Sequence, residues 1–315
     1  MGAKITVIGA GNVGATVAYT LSNTNLASEI VMIDINKDKA DGEVMDILQG
    51  TAFRGPITVT SGGYEDAVDS DIVVITSGVG RKPGQSRIDL VRTNVAILKD
   101  ITPQIVKYAP KAKYLIVSNP IDILTYVFTK ISGIPEEQII GSGTLLDTAR
   151  LRSLMSDHYQ VNQRNCHAFV FGEHGDSSFV PWSVAKVSGV PLHLYEEQMP
   201  EAMLNVEPWD YDYAEKYVRT SGGEIIKRKG ATFYAIAEAV KDLCKTLLSA
   251  YDSVKCVSTM MHGEYGIDDV CLSCLTVVGP DGCKGKIKLE LTDEEVVKLH
   301  HSANVLKDVI AQLEI

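Results

Sequence analysis

Two spacings alternate along the first third of the chain. Apolar runs at Lys4 to Ile8 and Glu29 to Ile33 each give way to segments of helical period, Val13 to Leu21 and Lys37 to Leu48. Strand, amphipathic helix and strand in that order predict βαβ units. Runs at Ile57 to Thr60, Asp71 to Thr76 and Tyr114 to Ser118 predict three more strands, with a helix from about Leu90 to Tyr108 before the last. Because these strands are apolar at consecutive positions, they suit a parallel sheet covered on both faces. The texture changes after Gly141. A helix is predicted from Thr144 to His158, a β-rich segment from Cys166 to Phe171, an acidic and aromatic patch from Glu196 to Tyr217, and one long helix from about Ser221 to Tyr251. The tail alternates again at Val254 to Met260, Cys271 to Val278 and Ile287 to Leu291. It closes on a helix whose opening, Thr292-Asp293-Glu294-Glu295, has capping-box spacing. The expected fold class is α/β: a doubly wound parallel sheet over residues 1–142, then a second, α+β domain over residues 143–315. With no internal repeat and no low-complexity linker, the two halves are expected to pack tightly.

Composition narrows the classes. The 315 residues are 45% hydrophobic and 22% charged, with a mean hydropathy of +0.05, which is core enough for a globular protein. No 18-residue apolar run suggests a membrane span, and the chain enters its first strand without a leader-like segment. Six cysteines without paired-framework spacing point to reduced thiols and the cytoplasm. A net charge of −10 argues against nucleic acid and anionic membranes as partners. Cys271 and Cys274 form a CxxC, but on an alternating strand they face opposite ways, so no metal is expected; with Cys283 they read as small buried hydrophobes. His300 and His301 on the closing helix read as solvated.

Local chemistry begins at Gly9-Ala10-Gly11-Asn12-Val13-Gly14, where the first strand hands over to a helix. Glycines there allow a tight turn and close backbone approach to a pyrophosphate, which the helix N-terminus then faces. Alone, such a motif is equally a tight βα corner. Asp34, twenty residues past Gly14 at the end of the second strand, adds the carboxylate that would accept hydrogen bonds from an adenosine ribose. It would repel a 2′-phosphate, so the expected cofactor is NAD rather than NADP.

Four further segments hold polar residues that a packed core would not choose: Gly80 to Arg87, Ser118-Asn119-Pro120, Asp147 to Arg150, and Gly172-Glu173-His174-Gly175-Asp176. Asp147 and Arg150, three apart on a helix, can point to one place; an intrahelical ion pair is the plainer alternative. A histidine at a strand end can protrude into a cleft, although a lone histidine is more often structural. The first segment, which carries two glycines and the three cations Arg81, Lys82 and Arg87, reads as a mobile loop able to close over an anion, or else as a solvated surface loop.

Taken in order, and with Gly263-Glu264-Tyr265-Gly266 near the end, these motifs make the chain resemble the L-lactate and malate dehydrogenase family over nearly its whole length. The resemblance implies a Rossmann domain followed by a catalytic domain, and hydride transfer between nicotinamide and carbon 2 of a 2-hydroxy or 2-keto acid. It makes His174 the acid/base group, Asp147 its orienting carboxylate, Arg150 the clamp on the substrate carboxylate and Arg87 the loop-delivered group that polarises the carbonyl. Asn119 would hold the substrate or nicotinamide side together with Gly78, and Thr232 would line the far wall of the pocket. Gly9, Gly11, Asn12, Val13, Gly14 and Asp34 would hold NAD. Arg152 and His167 fall where resembling bacterial enzymes bind fructose 1,6-bisphosphate; an ordinary interface or surface pair is the alternative. A homo-oligomer, usually a tetramer and sometimes a dimer, is implied, and a start just before the first strand would leave out the N-terminal arm of some relatives.

The substrate motifs disagree. Gly172 to Asp176, Ser118 to Thr125, Gly141 to Thr144 and Thr232 look lactate-type, whereas Arg81 stands where lactate-specific relatives carry glutamine, and arginine can pair with the second carboxylate of oxaloacetate. The expected substrate is pyruvate, with oxaloacetate as the alternative. A non-catalytic NAD sensor is the alternative of a different class, which the set His174, Asp147, Arg150 and Arg87 argues against.

Overall fold

The computed structural model describes residues 2–80, 84, 86–199 and 207–315. Its first half runs β1 (Ala3–Ile8), α1 (Asn12–Ser22), β2 (Ala27–Ile33), α2 (Lys37–Gln49), β3 (Thr58–Ser61), β4 (Ile72–Ile75), α3 (Arg87–Tyr108), β5 (Lys113–Ile116), α4 (Ile121–Ser132) and β6 (Ile139–Gly141). The second half runs α5 (Leu145–Tyr159), β7 (Cys166–His167), β8 (Lys186–Val187), β9 (Val190–Pro191), α6 (Leu192–Tyr195), α7 (Tyr211–Lys229), α8 (Tyr234–Leu247), β10 (Ser253–His262), β11 (Asp268–Gly279), β12 (Gly282–Lys286) and α9 (Asp293–Ile310).

One sheet crosses both halves in the order β12-β11-β10-β6-β5-β4-β1-β2-β3. The six strands from β6 to β3 are parallel, and β10 attaches antiparallel to β6 through Ser258 opposite Gly141. The strand order reverses between β1 and β4, which opens a crevice beyond their carboxyl ends, the place where such sheets bind ligands.

Every buried strand feeds two cores, as its consecutive apolar residues require. In β4, Val73 and Ile75 join Leu98 and Ile105 of α3, Phe128 of α4 and Leu299 of α9 on one face. Ile72 and Val74 join Val17 and Leu21 of α1, Ile47 of α2 and Val240 of α8 on the other. A third core, around Leu151, Met155 and Tyr159 of α5 with Val187, Trp209 and Val218, fills the second half.

Three elements differ from their sequence patterns. The expected helix Ser221 to Tyr251 is two: α7 starts ten residues earlier, where Asp210 accepts the Tyr213 N–H at 2.8 Å, and ends at Gly230, whose φ of +86° no helix continues. The strand expected at Ile287 to Leu291 is displaced to β12, because the chain reverses at once after Gly279 and pairs Val278 with Cys283. Of Cys166 to Phe171 only β7 is a strand, while Phe171 bridges Phe179. His300, expected in solvent, is half-buried, its Nε2 2.8 Å from the Tyr265 carbonyl oxygen, whereas His301 is exposed.

The capping box on α9 is present in both directions, with the Glu295 N–H donating to Thr292 Oγ1 and the Thr292 N–H to Glu295 Oε2. Glu295 also accepts the Ser183 N–H at 3.0 Å and Ser183 Oγ at 2.5 Å, tying α9 to the loop before β8. Thr292→Ala is expected to cost about 1 kcal/mol of stability. Glu295→Ala is expected to cost clearly more, about 2–3 kcal/mol, because it removes one acceptor shared by three donors, the Thr292 and Ser183 N–H groups and Ser183 Oγ. Urea denaturation of both variants checks the order; equal losses would show that the Ser183 contacts contribute nothing.

Candidate active site

At the cofactor end, Gly9 turns with φ +106°, and a Cβ there would lie 2.8 Å from Thr76 Oγ1 and 2.9 Å from the Ser77 nitrogen. A Cβ on Gly14 would run into the Gly9 carbonyl, so this glycine lets α1 sit against β1. Gly11 faces open space, with nothing within 4 Å of an added Cβ, which leaves room for a phosphate beside the N-terminus of α1. Asn12 and Val13 begin that helix. Asp34, at the end of β2, accepts the Ala10 N–H at 2.6 Å through Oδ2 and the Asn36 N–H at 2.8 Å through Oδ1. The carboxylate therefore holds the glycine turn and keeps spare lone pairs for ribose hydroxyls. The residues present fit a dinucleotide.

Asn94, buried on α3, had no signal in the sequence beyond an amide at an apolar helical position. It accepts the Val79 N–H at 2.9 Å and donates to the Val79 carbonyl at 3.1 Å and the Asn119 carbonyl at 2.8 Å. An added Cβ on Gly78 would touch it at 3.3 Å. Asn94 thus ties the segment after β4 to the one after β5, leaving the Asn119 side chain exposed.

The chemical end is built on the first turn of α5. Asp147 lies there, nearly buried, with Oδ1 accepting from Arg150 Nη1 at 2.7 Å and Oδ2 2.5 Å from His174 Nδ1. An ionised carboxylate can only accept, so Nδ1 carries the proton and Nε2 is left for the cleft. The two readings of the Asp147–Arg150 spacing therefore both hold: the ion pair exists, and the same carboxylate reaches the histidine. His174 is carried by a loop fixed at one end by Gly172, which exchanges backbone hydrogen bonds of 3.0 and 3.1 Å with Ser273 of β11. The His174 N–H donates to Asp122 Oδ2 at 2.7 Å, and Ser258 Oγ donates to Asp122 Oδ1 at 2.6 Å. Asp122 is another residue whose role the sequence did not announce.

The electrostatics follow. Burial opposes the imidazolium of His174, but the charge and hydrogen bond of Asp147, with the charge of Asp122, outweigh it and raise the His174 pKa above its ordinary 6.5. Burial also works against the Asp147 carboxylate, yet His174 and Arg150 hold it below the usual range. Asp122 is pushed up to about 6 by burial, against the opposing hydrogen bonds from Ser258 and His174.

Arg87, expected within a loop, is the first residue of α3, because Ser86 caps that helix by accepting the Asp89 N–H at 3.1 Å. Its Nη2 donates to Glu173 Oε1. Thr232 is half-buried in the link between α7 and α8. Arg81 lies outside the described residues. Arg152 donates to the Ala168 carbonyl at 3.1 Å, lies over the Phe169 ring and lines a cavity of about 520 Å³ that Glu238 and Asp242 also line; His167 is exposed on β7. Among the described residues, no cluster of three or more His, Cys, Asp or Glu is arranged to hold a metal, and no helix is long and apolar enough to cross a membrane.

Residues 3–141 match the lactate/malate dehydrogenase NAD binding domain, and residues 144–314 match the α/β C-terminal domain of the same family. An L-lactate dehydrogenase of Acetivibrio thermocellus is 45% identical over 312 residues, 99% of this chain and 98% of its own length. L-lactate dehydrogenase 1 of Clostridium acetobutylicum is 44% identical over 97% of this chain and 96% of its own. Among solved structures, a lactate dehydrogenase enzyme from a Medee basin deep-sea metagenome library superimposes with a TM-score of 0.94 at 36% identity, covering 98% of each chain. The minor L-lactate dehydrogenase of Enterococcus mundtii, in its ligands-bound form, gives 0.93 at 35% identity over 100% of this chain and 99% of its own.

The raised His174 pKa keeps the imidazolium present to higher pH than in a free histidine. Ring-nitrogen NMR is expected to show His174 titrating above 6.5 and Asp147→Asn bringing it below that value. Unchanged titration in the variant would mean that Asp147 does not govern the proton.

Proposed function

This chain belongs to the lactate/malate dehydrogenase family, and we propose that it is an NAD-dependent L-lactate dehydrogenase, moving hydride in either direction between NADH and carbon 2 of pyruvate. The observation that carries this reading is the Asp147 carboxylate held between His174 and Arg150. The names of its full-length relatives support pyruvate as the substrate.

In this reading Gly9, Gly11 and Gly14, with Asn12, Val13 and Asp34, hold the dinucleotide, and Gly78 and Asn119 border its nicotinamide end. The bound cofactor supplies or accepts the hydride. Arg150 keeps guanidinium N–H groups beyond the one given to Asp147, and these grip the substrate carboxylate in the two-pronged way that lysine cannot. His174 Nε2 gives its proton to the keto oxygen, while Asp147 holds the ring orientation and stabilises the imidazolium that must be present beforehand. Arg87 faces the same oxygen as negative charge develops on it, a contribution of several kcal/mol in a dry site, on the order of 3. Thr232 lines the far wall. A sensor without turnover would have no use for an acid/base pair beside two arginines.

The division between the cofactor and catalytic domains falls, in this reading, at residue 142. Assembly into a homo-oligomer is supported by Met45, Leu48 and Phe53, which expose apolar surface on α2 and the turn after it. Six free cysteines, five of them buried, support a reducing compartment such as the cytoplasm. Fructose 1,6-bisphosphate stays outside this reading, since Arg152, in a cavity lined by Arg164 and Lys255 as well as by Glu238 and Asp242, is committed to a carbonyl and a ring.

Initial rates with NADH are expected to give pyruvate a kcat/KM at least tenfold above that of freshly prepared oxaloacetate, about 1.4 kcal/mol in transition-state binding. The reverse preference would mean that Arg81 pairs with a second carboxylate and that the malate reading is right. His174→Asn is expected to lose at least about a thousandfold in kcat while binding NADH as the parent does. A parent enzyme inactive on both acids would leave the sensor reading standing.

A further inference from the structure

The mechanism uses one buried carboxylate, behind His174, and leaves another unassigned in the residue before it. Glu173 is only 2% exposed. Its Oε2 accepts from Ser177 Oγ at 2.6 Å, its Oε1 accepts from Arg87 Nη2, and its own N–H donates to Ser302 Oγ on α9 at 2.7 Å. The loop is shaped around this group: a Cβ on Gly175 would lie 2.7 Å from the Glu173 carboxyl carbon, and one on Gly172 would lie 2.6 Å from Ser302 Oγ. A carboxylate so enclosed is costly unless a cation completes its partners. Arg87 reaches in from α3 across 86 residues of sequence to do so, while half of its side chain stays accessible.

We infer that Glu173 is a positioning residue for Arg87, holding one edge of the guanidinium so that its other N–H groups are presented beside His174. The inference rests on the role of Arg87 proposed above. Arginine has five N–H donors in a rigid plane, and fixing one of them to a buried carboxylate restricts the direction of the other four. The two groups that would act on the keto oxygen, His174 and Arg87, are then each backed by a buried carboxylate, Asp147 and Glu173. Adjacent residues of one loop supply the histidine and the carboxylate that aims the arginine, so a single loop sets the relative placement of proton donor and charge stabiliser. Ser177 and Ser302, 3.0 Å apart, brace that loop against α9.

A double-mutant cycle tests this with NADH and pyruvate. Glu173→Gln, which keeps shape and removes charge, is expected to lower kcat about tenfold or more, with the NADH dissociation constant measured by fluorescence unchanged. In an Arg87→Ala background the same substitution is expected to change kcat less than twofold, since there is no guanidinium left to position. Glu173→Asp keeps the charge but withdraws it by one methylene; it is expected to recover part of the loss, and it enters the same cycle should the glutamine variant melt below assay temperature. A Glu173→Gln enzyme within twofold of the parent, or one that loses the same factor with and without Arg87, overturns the inference. An Arg87→Ala enzyme with parental activity is a separate result, and it overturns the role of Arg87 itself.

Discussion

The carboxylate of Asp147 serves two cations at once, and the rest of the site is arranged so that it can. It sits in the first turn of α5, where the helix dipole favours negative charge, and within hydrogen-bond reach of both His174 and Arg150. Withdrawing either cation would leave a nearly buried charge short of a partner, a loss of about 3–5 kcal/mol for pairs of this kind. Fold and chemistry meet here: β6 delivers α5, β11 fixes the loop of His174 at Gly172, and Asp122 at the start of α4 takes the His174 N–H. A histidine so held has its tautomer chosen before any substrate arrives.

Around that centre, buried polar groups join what the sheet topology keeps apart. Asn94 fastens the segments following β4 and β5, which border the crevice at the strand ends, and Asp122 links the next helix to β10 through Ser258 and to the loop of His174 through the His174 N–H. Each has its hydrogen-bonding capacity taken up by backbone or hydroxyl partners, which makes a buried polar group a specifier of geometry rather than a liability. The crevice beside the glycine turn and the cluster around His174 are therefore parts of one framework, both anchored on residues 118–122.

In the parallel half, β1, β2, β4 and β5 were legible because each is apolar at consecutive positions, and α1, α2 and α3 because each keeps a regular stripe; β3, which alternates exposed and buried residues, was marked only by its β-rich run, and α4 and the three-residue β6 were not marked at all. The glycine turn with Asp34 was equally readable, since its spacing encodes a close approach that only glycine permits. The break at Gly230 was missed because helical periodicity continues through it, and the early start of α7 because the Asp210 cap is buried in a run of aromatic and acidic residues. In the site, Asp147, Arg150 and His174 could be named from motifs, but not that one carboxylate serves both cations, which depends on the angle between α5 and a loop 27 residues away. Asn94, Asp122 and the pairing of Arg87 with Glu173 were invisible for the same reason: their partners are distant in sequence, and nothing local marks a polar residue as buried.

The joint between the halves of the sheet has a consequence for protein engineering. Gly141 pairs with Ser258 where a side chain would collide with Thr125 and Ser258, and two residues on, Gly143 sits with φ +48° where a Cβ would lie 2.7 Å from the Ser258 nitrogen and press on Ser273 Oγ. Ser258 is at the same time the hydroxyl that satisfies Asp122. Recombination between relatives at this apparently natural crossover would thus splice through a close-packed seam, not a linker. Chimaeras that exchange one half alone take the Gly141–Ser258 and Asp122–Ser258 contacts from two parents, so Asp122, Gly141 and Ser258 have to travel together as a single inherited block.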